Sequence, residues 1–203
     1  MRITDLLNCP PIGTPGLRKL FGLFATLAPH DVPEHEIVLA DEVPPPYYDL
    51  LVHEHHMTVT VERHHQDTVD VRILARLERG ESYARKILLT LHGNGRVVQF
   101  GIMRIDLSQC ADAVRSAIVA GQTPLGRILI QHNVLRHIEP KAYLRIIPGK
   151  AMMEWFGLDR PQLTYGRLAI IHCDGRPAVD LLEIVAPEPR PLQSEVPGKN
   201  RKQ

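Results

Sequence analysis

The sequence predicts an α+β domain with about six mainly antiparallel strands and helices inserted before the first strand and between the third and fourth. Two observations carry this. From Val69 to Leu77, the residues Val69, Val71, Ile73, Ala75 and Leu77 alternate with Asp70, Arg72, Leu74 and Arg76, the period of a half-buried strand. Strand-like segments are also joined by tight-turn signals, Gly93-Asn94-Gly95 and Asp174-Gly175, and such short connections favour antiparallel neighbours.

At 203 residues, 44% hydrophobic and 23% charged, the chain has material for one domain with its own core. Its 24 basic and 23 acidic side chains leave a formal charge of +1, which gives no general field toward nucleic acid or an anionic membrane. Any anion must therefore be held by local groups. Cys9, Cys110 and Cys173 lie far apart and form no Cys-x-x-Cys pair, which fits a reducing compartment. No window approaches the roughly 18 uninterrupted apolar residues of a membrane span, so a cytoplasmic protein is expected.

In chain order, Leu17 to Ala28 reads as a short amphipathic helix between proline-rich flanks, and Tyr47 to Val52 as a second helix after Pro44-Pro45-Pro46. The first strand runs to Leu77, and Gly80 ends it. Tyr83 to Leu91 and Arg96 to Ile105 follow as strands two and three. Asp106-Leu107-Ser108 is expected to cap a helix from Gln109 to Ala120 that stops at Gly121. Val134 to Ile147 reads as a strand in which Pro140 requires a bulge or an edge position. A short helical turn follows over Ala151 to Leu158, and then a hairpin from Leu163 to Ala186. The expected organisation is an N-terminal extension over 1–40, a main domain over 41–187 and a disordered tail over 188–203.

Three features bear on chemistry. The turn Gln122-Thr123-Pro124-Leu125-Gly126-Arg127 suits a helix start in which Thr123 caps, Pro124 takes the first helical position, and the free N–H groups of Leu125, Gly126 and Arg127 face an anion. Arg85 and Lys86 occupy opposite faces of strand two, and Glu183 stands in an otherwise apolar strand. An inward Arg85, an inward Glu183 and the Leu125 amide would line a pocket for a small organic acid; alternatively Arg85 and Glu183 form a structural ion pair across the sheet. The third feature is His53-Glu54-His55-His56 with His64-His65. Zinc needs three or four convergent ligands, and no motif such as His-Glu-x-x-His is matched, so the cluster reads as polar helix surface and no metal is assigned.

Four of these segments, in order over about residues 47–187, resemble the chorismate pyruvate-lyase family. His56-Met57-Thr58 with the following helix and strand is similar to its Ser-Met-Thr segment. Tyr83-Ala84-Arg85-Lys86-Ile87-Leu88-Leu89 resembles its Tyr-x-x-Arg-x-Ile-Leu-Leu strand, Gly121 to Arg127 its Gly-Lys-Thr-Pro-Leu-Gly-Arg turn, and Gly166-Arg167 through Glu183 its closing hairpin. The resemblance implies that Arg85 binds the ring carboxylate with the Leu125 amide and neighbouring Gly126, that Glu183 faces the hydroxyl side of the ring, and that Met57 belongs to a lid. It also implies elimination of pyruvate from chorismate to give 4-hydroxybenzoate, on the way to ubiquinone, with no cofactor. The family's third strand carries a Gly-Arg pair for the second acidic group. Here Gly101 is followed by Ile102, so Arg104 is the expected substitute, and the likeness is closer to divergent branches of the family.

The alternative is a non-catalytic aromatic-acid sensor, because the same fold resembles the effector domain of a class of bacterial regulators. Residues 1–40 are too few and too rich in proline for the winged head of such a regulator. Either reading expects a small-molecule ligand, no nucleic-acid partner, and a monomer or small homo-oligomer.

Overall fold

In the computed structural model, which describes residues 12–25 and 32–188, the strands are β1 (Glu34–Val38), β2 (Val69–Arg79), β3 (Ser82–Leu91), β4 (Val97–Asp106), β5 (Arg136–Ile147), β6 (Thr164–Cys173) and β7 (Arg176–Val185). All seven join one antiparallel sheet in the order β1-β5-β6-β7-β4-β3-β2. The helices are α1 (Leu17–Gly22), α2 (Tyr47–Leu51), α3 (Met57–His65), α4 (Asp112–Ala120), α5 (Leu125–Gln131) and α6 (Lys150–Phe156). The α+β class and both helix insertions agree with the sequence reading. The strand count is seven instead of six, because Glu34–Val38, within the segment read as an extension, pairs with β5.

The two hairpins are local and the rest of the sheet is not. β2, β3 and β4 form the expected meander, and β6 turns into β7 through Asp174 (φ 49°) and Gly175 (φ 78°), the left-handed pair that a two-residue hairpin needs. These units meet where β4 pairs with β7, setting Gly101 opposite Glu183. Pro140 sits at a bulge in β5, where the register shifts before Ala142 and no ladder N–H is demanded of it.

Helices cover both faces, so the central strands are buried on both sides. On one face Ala84, Leu88, Phe100, Ile102, Leu168, Leu182 and Ile184 pack with Leu17, Leu20, Phe21 and Met152 of α1 and α6. Phe21, Phe100 and Trp155 stack in series there, with centroids 5.6 and 5.2 Å apart. Lys86 belongs to this face, with Nζ 5.6 Å from the Phe24 ring centroid and 5.7 Å from that of Trp155. Each large side chain so buried contributes about 1.5–3 kcal/mol.

The opposite face divides into two apolar clusters. Met103, Leu181 and Ile171 pack under α4 and α5, whereas Leu89, Val98 and Tyr165 pack under α2 and α3. A mainly apolar cavity with a few polar groups lies between them.

Two boundaries differ from expectation. The helix foreseen from Gln109 separates into a single 3-10 turn, Leu107–Gln109, and α4; Asp106 Oδ1 accepts from the Ser108 N–H at 2.9 Å and so caps the turn, not α4. The first helix is described to Gly22, and residues 26–28 of its expected range lie outside the described residues, as does the tail from 189 onward. Among the described residues no helix is long and apolar enough to cross a membrane.

Candidate ligand-binding site

Strand parity brings the site together. Arg85 pairs with Met103, Ile87 with Gly101, and Gly101 with Glu183, so these side chains and the open space over Gly101 share one face. A Cβ on Gly101 would stand 3.4 Å from Ile87 Cγ1, so the glycine leaves this floor shallow. The cavity above it has a volume of about 60 Å³. Arg85, Gly101, Leu125, Gly126, Met57 and Glu183 all line it.

Arg85 is 1% exposed. Its Nη2 donates to the Thr123 carbonyl at 3.2 Å, while Nε and Nη1 have no hydrogen-bond partner. Burial lowers the basicity of this guanidinium, and the adjacent Tyr83 hydroxyl partly offsets that. A buried cation without a carboxylate is costly, and most buried polar groups find partners. Gln99 Oε1, also in the cavity wall, is a second buried atom without one.

The helix start at the turn forms differently from expectation. Pro124 is the N-cap of α5 (φ −54°, ψ 138°) and no side chain caps it; Thr123 offers its carbonyl to Arg85 instead. The first N–H to bond back is that of Ile128, to the Pro124 carbonyl at 3.1 Å, so Leu125, Gly126 and Arg127 keep the unpaired helical amides common to any first turn. Arg127 is engaged through its side chain with Glu62 of α3.

Glu183 is not paired with Arg85. Its Oε2 accepts from Arg167 Nε at 2.7 Å, directly across the β6–β7 ladder. Three further Arg167 hydrogen bonds go to carbonyls at the end of α2 and in the connection to α3: Nη1 to Leu51 at 3.2 Å and His53 at 2.8 Å, and Nη2 to His55 at 3.2 Å. Arg167 thus straps down the segment that leads into Met57. The sequence reading assigned Arg167 no role, although it carries the same signal as Glu183, a lone charge within the apolar run of β6.

Arg104 does not enter the cavity. It pairs with Ala84 on the α1 face, and its Nη2 contacts Asp180 Oδ2 at 2.6 Å. Asp180 Oδ1 in turn accepts from the Gly13 N–H at 2.9 Å. The expected substitution for the missing arginine fails because position 104 has the parity of Lys86 instead of Arg85. Ile102 shares that parity.

His56 closes the side of the cavity toward α5. A Cβ on Gly126 would lie 3.0 Å from its ring, so the glycine lets the imidazole pack close against α5. Arg136 donates to His56 Nε2, and burial, with Arg136 and Arg167 nearby, lowers its pKa to about 4. His53 is likewise pushed to about 4 by burial and by Arg167. Both imidazoles are neutral at pH 7. Of the polar surface foreseen for 53–56, Glu54 and His55 are exposed, His53 is half-buried beside Arg167, and only His56 enters the cavity wall.

No protein-family model matches the chain, and no curated protein does. Solved structures of partly similar architecture are the effector domain of PhnF from Mycobacterium smegmatis (10% identity, 65% of this chain and 88% of that one, TM-score 0.46), a GntR-family transcriptional regulator from Bacillus cereus (12%, 62% and 96%, 0.42) and the C-terminal domain of Yurk from Bacillus subtilis (11%, 57% and 88%, 0.42).

Proposed function

We propose that the cavity binds a small organic acid with one carboxylate, and that the chain is a ligand-sensing domain. The observation that carries this is the Arg85 guanidinium, buried in the cavity wall with Nε and Nη1 unpartnered. A carboxylate placed there would accept from one of these open N–H groups, and a charge-assisted hydrogen bond of that kind is among the strong ones.

Counting the cations that lack a carboxylate separates this reading from the lyase. Chorismate carries two carboxylates. Arg167 already has its charge matched by Glu183 and gives further hydrogen bonds to three carbonyls, and Arg104 is paired with Asp180 on the other face. A second carboxylate would be buried without a cation. The apolar wall of Ile87, Leu89, Met103, Ile138, Ile171 and Leu181 suits the body of a hydrophobic monoacid such as a benzoate.

Size supports sensing. A cavity of about 60 Å³ is well below the roughly 150 Å³ of an engineered cavity that admits benzene. Binding an aromatic acid therefore requires His56, Met57 and Thr58 to move outward. Occupancy is coupled to the position of α3, and that coupling is what a sensor needs.

A second reading stays open on one observation: Glu183 faces the same cavity as Arg85 and Leu125, the set that a chorismate lyase would use. One experiment addresses both. Thermal melting with benzoate, 3-hydroxybenzoate, 4-hydroxybenzoate and chorismate should show stabilisation by the monoacids that Arg85→Met removes. No stabilisation by any of them would sink the sensing proposal. Pyruvate released from chorismate would favour the enzyme.

A further inference from the structure

Away from the cavity, the last two residues of α3, His64 and His65, meet Glu188, which lies just beyond β7. His64 Nε2 is 3.8 Å from Glu188 Oε2 and His65 Nε2 is 3.6 Å from Oε1. The three ligand atoms all lie within 4.8 Å of one another. Around a tetrahedral ion with bonds of about 2.0–2.1 Å, neighbouring ligands stand roughly 3.4 Å apart, and each imidazole nitrogen is already near that distance from a different oxygen of Glu188. We propose that His64, His65 and Glu188 form a binding site for one divalent transition-metal ion, with zinc the best match to two imidazoles and a carboxylate.

The surroundings give the site a frame. Glu188 is anchored by its backbone N–H, which donates to the Tyr47 hydroxyl at 3.0 Å. The two imidazoles stand edge to face, with centroids 4.7 Å apart at 87°. Side chains of His65 and Glu188 are largely shielded and His64 is more open, so water can complete the coordination.

One neighbour opposes the ion. Arg96, from the turn between β3 and β4, has Nη2 3.0 Å from His65 Nδ1. As donor it assigns the ring proton to Nε2 in the metal-free protein. Ligation through Nε2 moves this proton to Nδ1 through solvent, with no net change in charge, and turns Arg96 outward. The ion would pin the chain after β7 to the C-terminal end of α3, the helix whose first residues wall the cavity. The sequence spacing contained no such motif because Glu188 is remote in the chain.

Titration calorimetry of the full chain, stripped with EDTA, against zinc chloride tests the proposal. The expected result is one saturable site per chain, weakened at least tenfold by His64→Ala and by Glu188→Gln. Cobalt(II) in the unaltered protein should show visible d–d absorption of a site with nitrogen and oxygen ligands, lost in Glu188→Gln. Melting curves in EDTA separate a missing ligand from a misfolded variant, and the cobalt spectrum of the unaltered protein needs no variant. Absence of saturable binding, or undiminished binding by the His64→Ala/Glu188→Gln double variant, overturns the assignment.

Discussion

Arg167 and Glu183 face each other across the β6–β7 ladder with Nε and Oε2 2.7 Å apart, while Arg85, two strands from Glu183 in the sheet, has no carboxylate partner. The pairing divides the labour between two buried arginines. Arg167 is structural, because it neutralises Glu183 and holds the connection over the cavity. Arg85 is the cation left for a ligand.

Removing Arg167 should therefore be expensive. Arg167→Met leaves Glu183 without its cation and strips donors from the carbonyls of Leu51, His53 and His55, and breaking a buried pair from one side typically costs about 3–5 kcal/mol. Urea unfolding measures it. Arg167→Met/Glu183→Leu should recover part of the loss, and a single-variant cost below about 1 kcal/mol would remove Arg167 from its strapping role.

Arg85→Met should behave in the opposite way. The guanidinium carries a desolvation penalty that the Thr123 carbonyl and the neighbouring Tyr83 hydroxyl offset only in part, so a methionine of similar length is expected to leave stability unchanged or raise it by about 1 kcal/mol. Ligand-induced stabilisation should vanish at the same time. A variant that unfolds far more easily would show that Arg85 is structural after all.

Two glycines separate close approach to backbone from close approach to a side chain. A Cβ on Gly166 would lie 2.6 Å from the Glu183 carbonyl oxygen, within the ladder next to Arg167, where neither strand can move alone. On Gly126 it would meet the His56 ring at 3.0 Å, and the ring can tilt away. Gly166→Ala is expected to cost roughly 3 kcal/mol and Gly126→Ala about 1 kcal/mol, the upper and lower ends for overpacking. Chemical denaturation of both variants checks the order, and a reversed order would contradict the rigidity assigned to the β6–β7 ladder.

Much of the domain was legible locally. Period-two alternation located β2, turn residues located both hairpins, and isolated charges in apolar runs pointed to Arg85 and Glu183. Three features were not. β1 is five residues of mixed polarity, Glu34-His35-Glu36-Ile37-Val38, with too little periodicity to mark an edge strand. The β4–β7 pairing closes a long loop, and without its register and that of β3 the faces of Arg104 and Arg85 cannot be compared. The helix start after Thr123 was misplaced by one residue because that carbonyl is committed to Arg85, a contact between positions far apart in the chain. Arg167 alone could have been found by the rule already applied to Glu183.

The lowered histidines predict how stability follows pH. His53, His56 and His65 have folded pKa values of about 4 against 6.5 for the free group, so between those values the unfolded chain binds more protons than the folded one. Their contribution is complete above about pH 6.5 and is lost as pH falls toward 4. His92 acts with the other sign. Its hydrogen bond to Asp70 raises its pKa, so its contribution is complete below the unfolded value and is lost as pH rises through the folded one; as an exposed group it weakens the trend without reversing it. Urea midpoints should fall between pH 7 and pH 5, and His56→Gln, whose amide oxygen can still accept from Arg136, should flatten the slope by up to one proton. A midpoint that does not change over this range would show that the imidazoles around Arg167 and Arg136 are not held neutral by the fold.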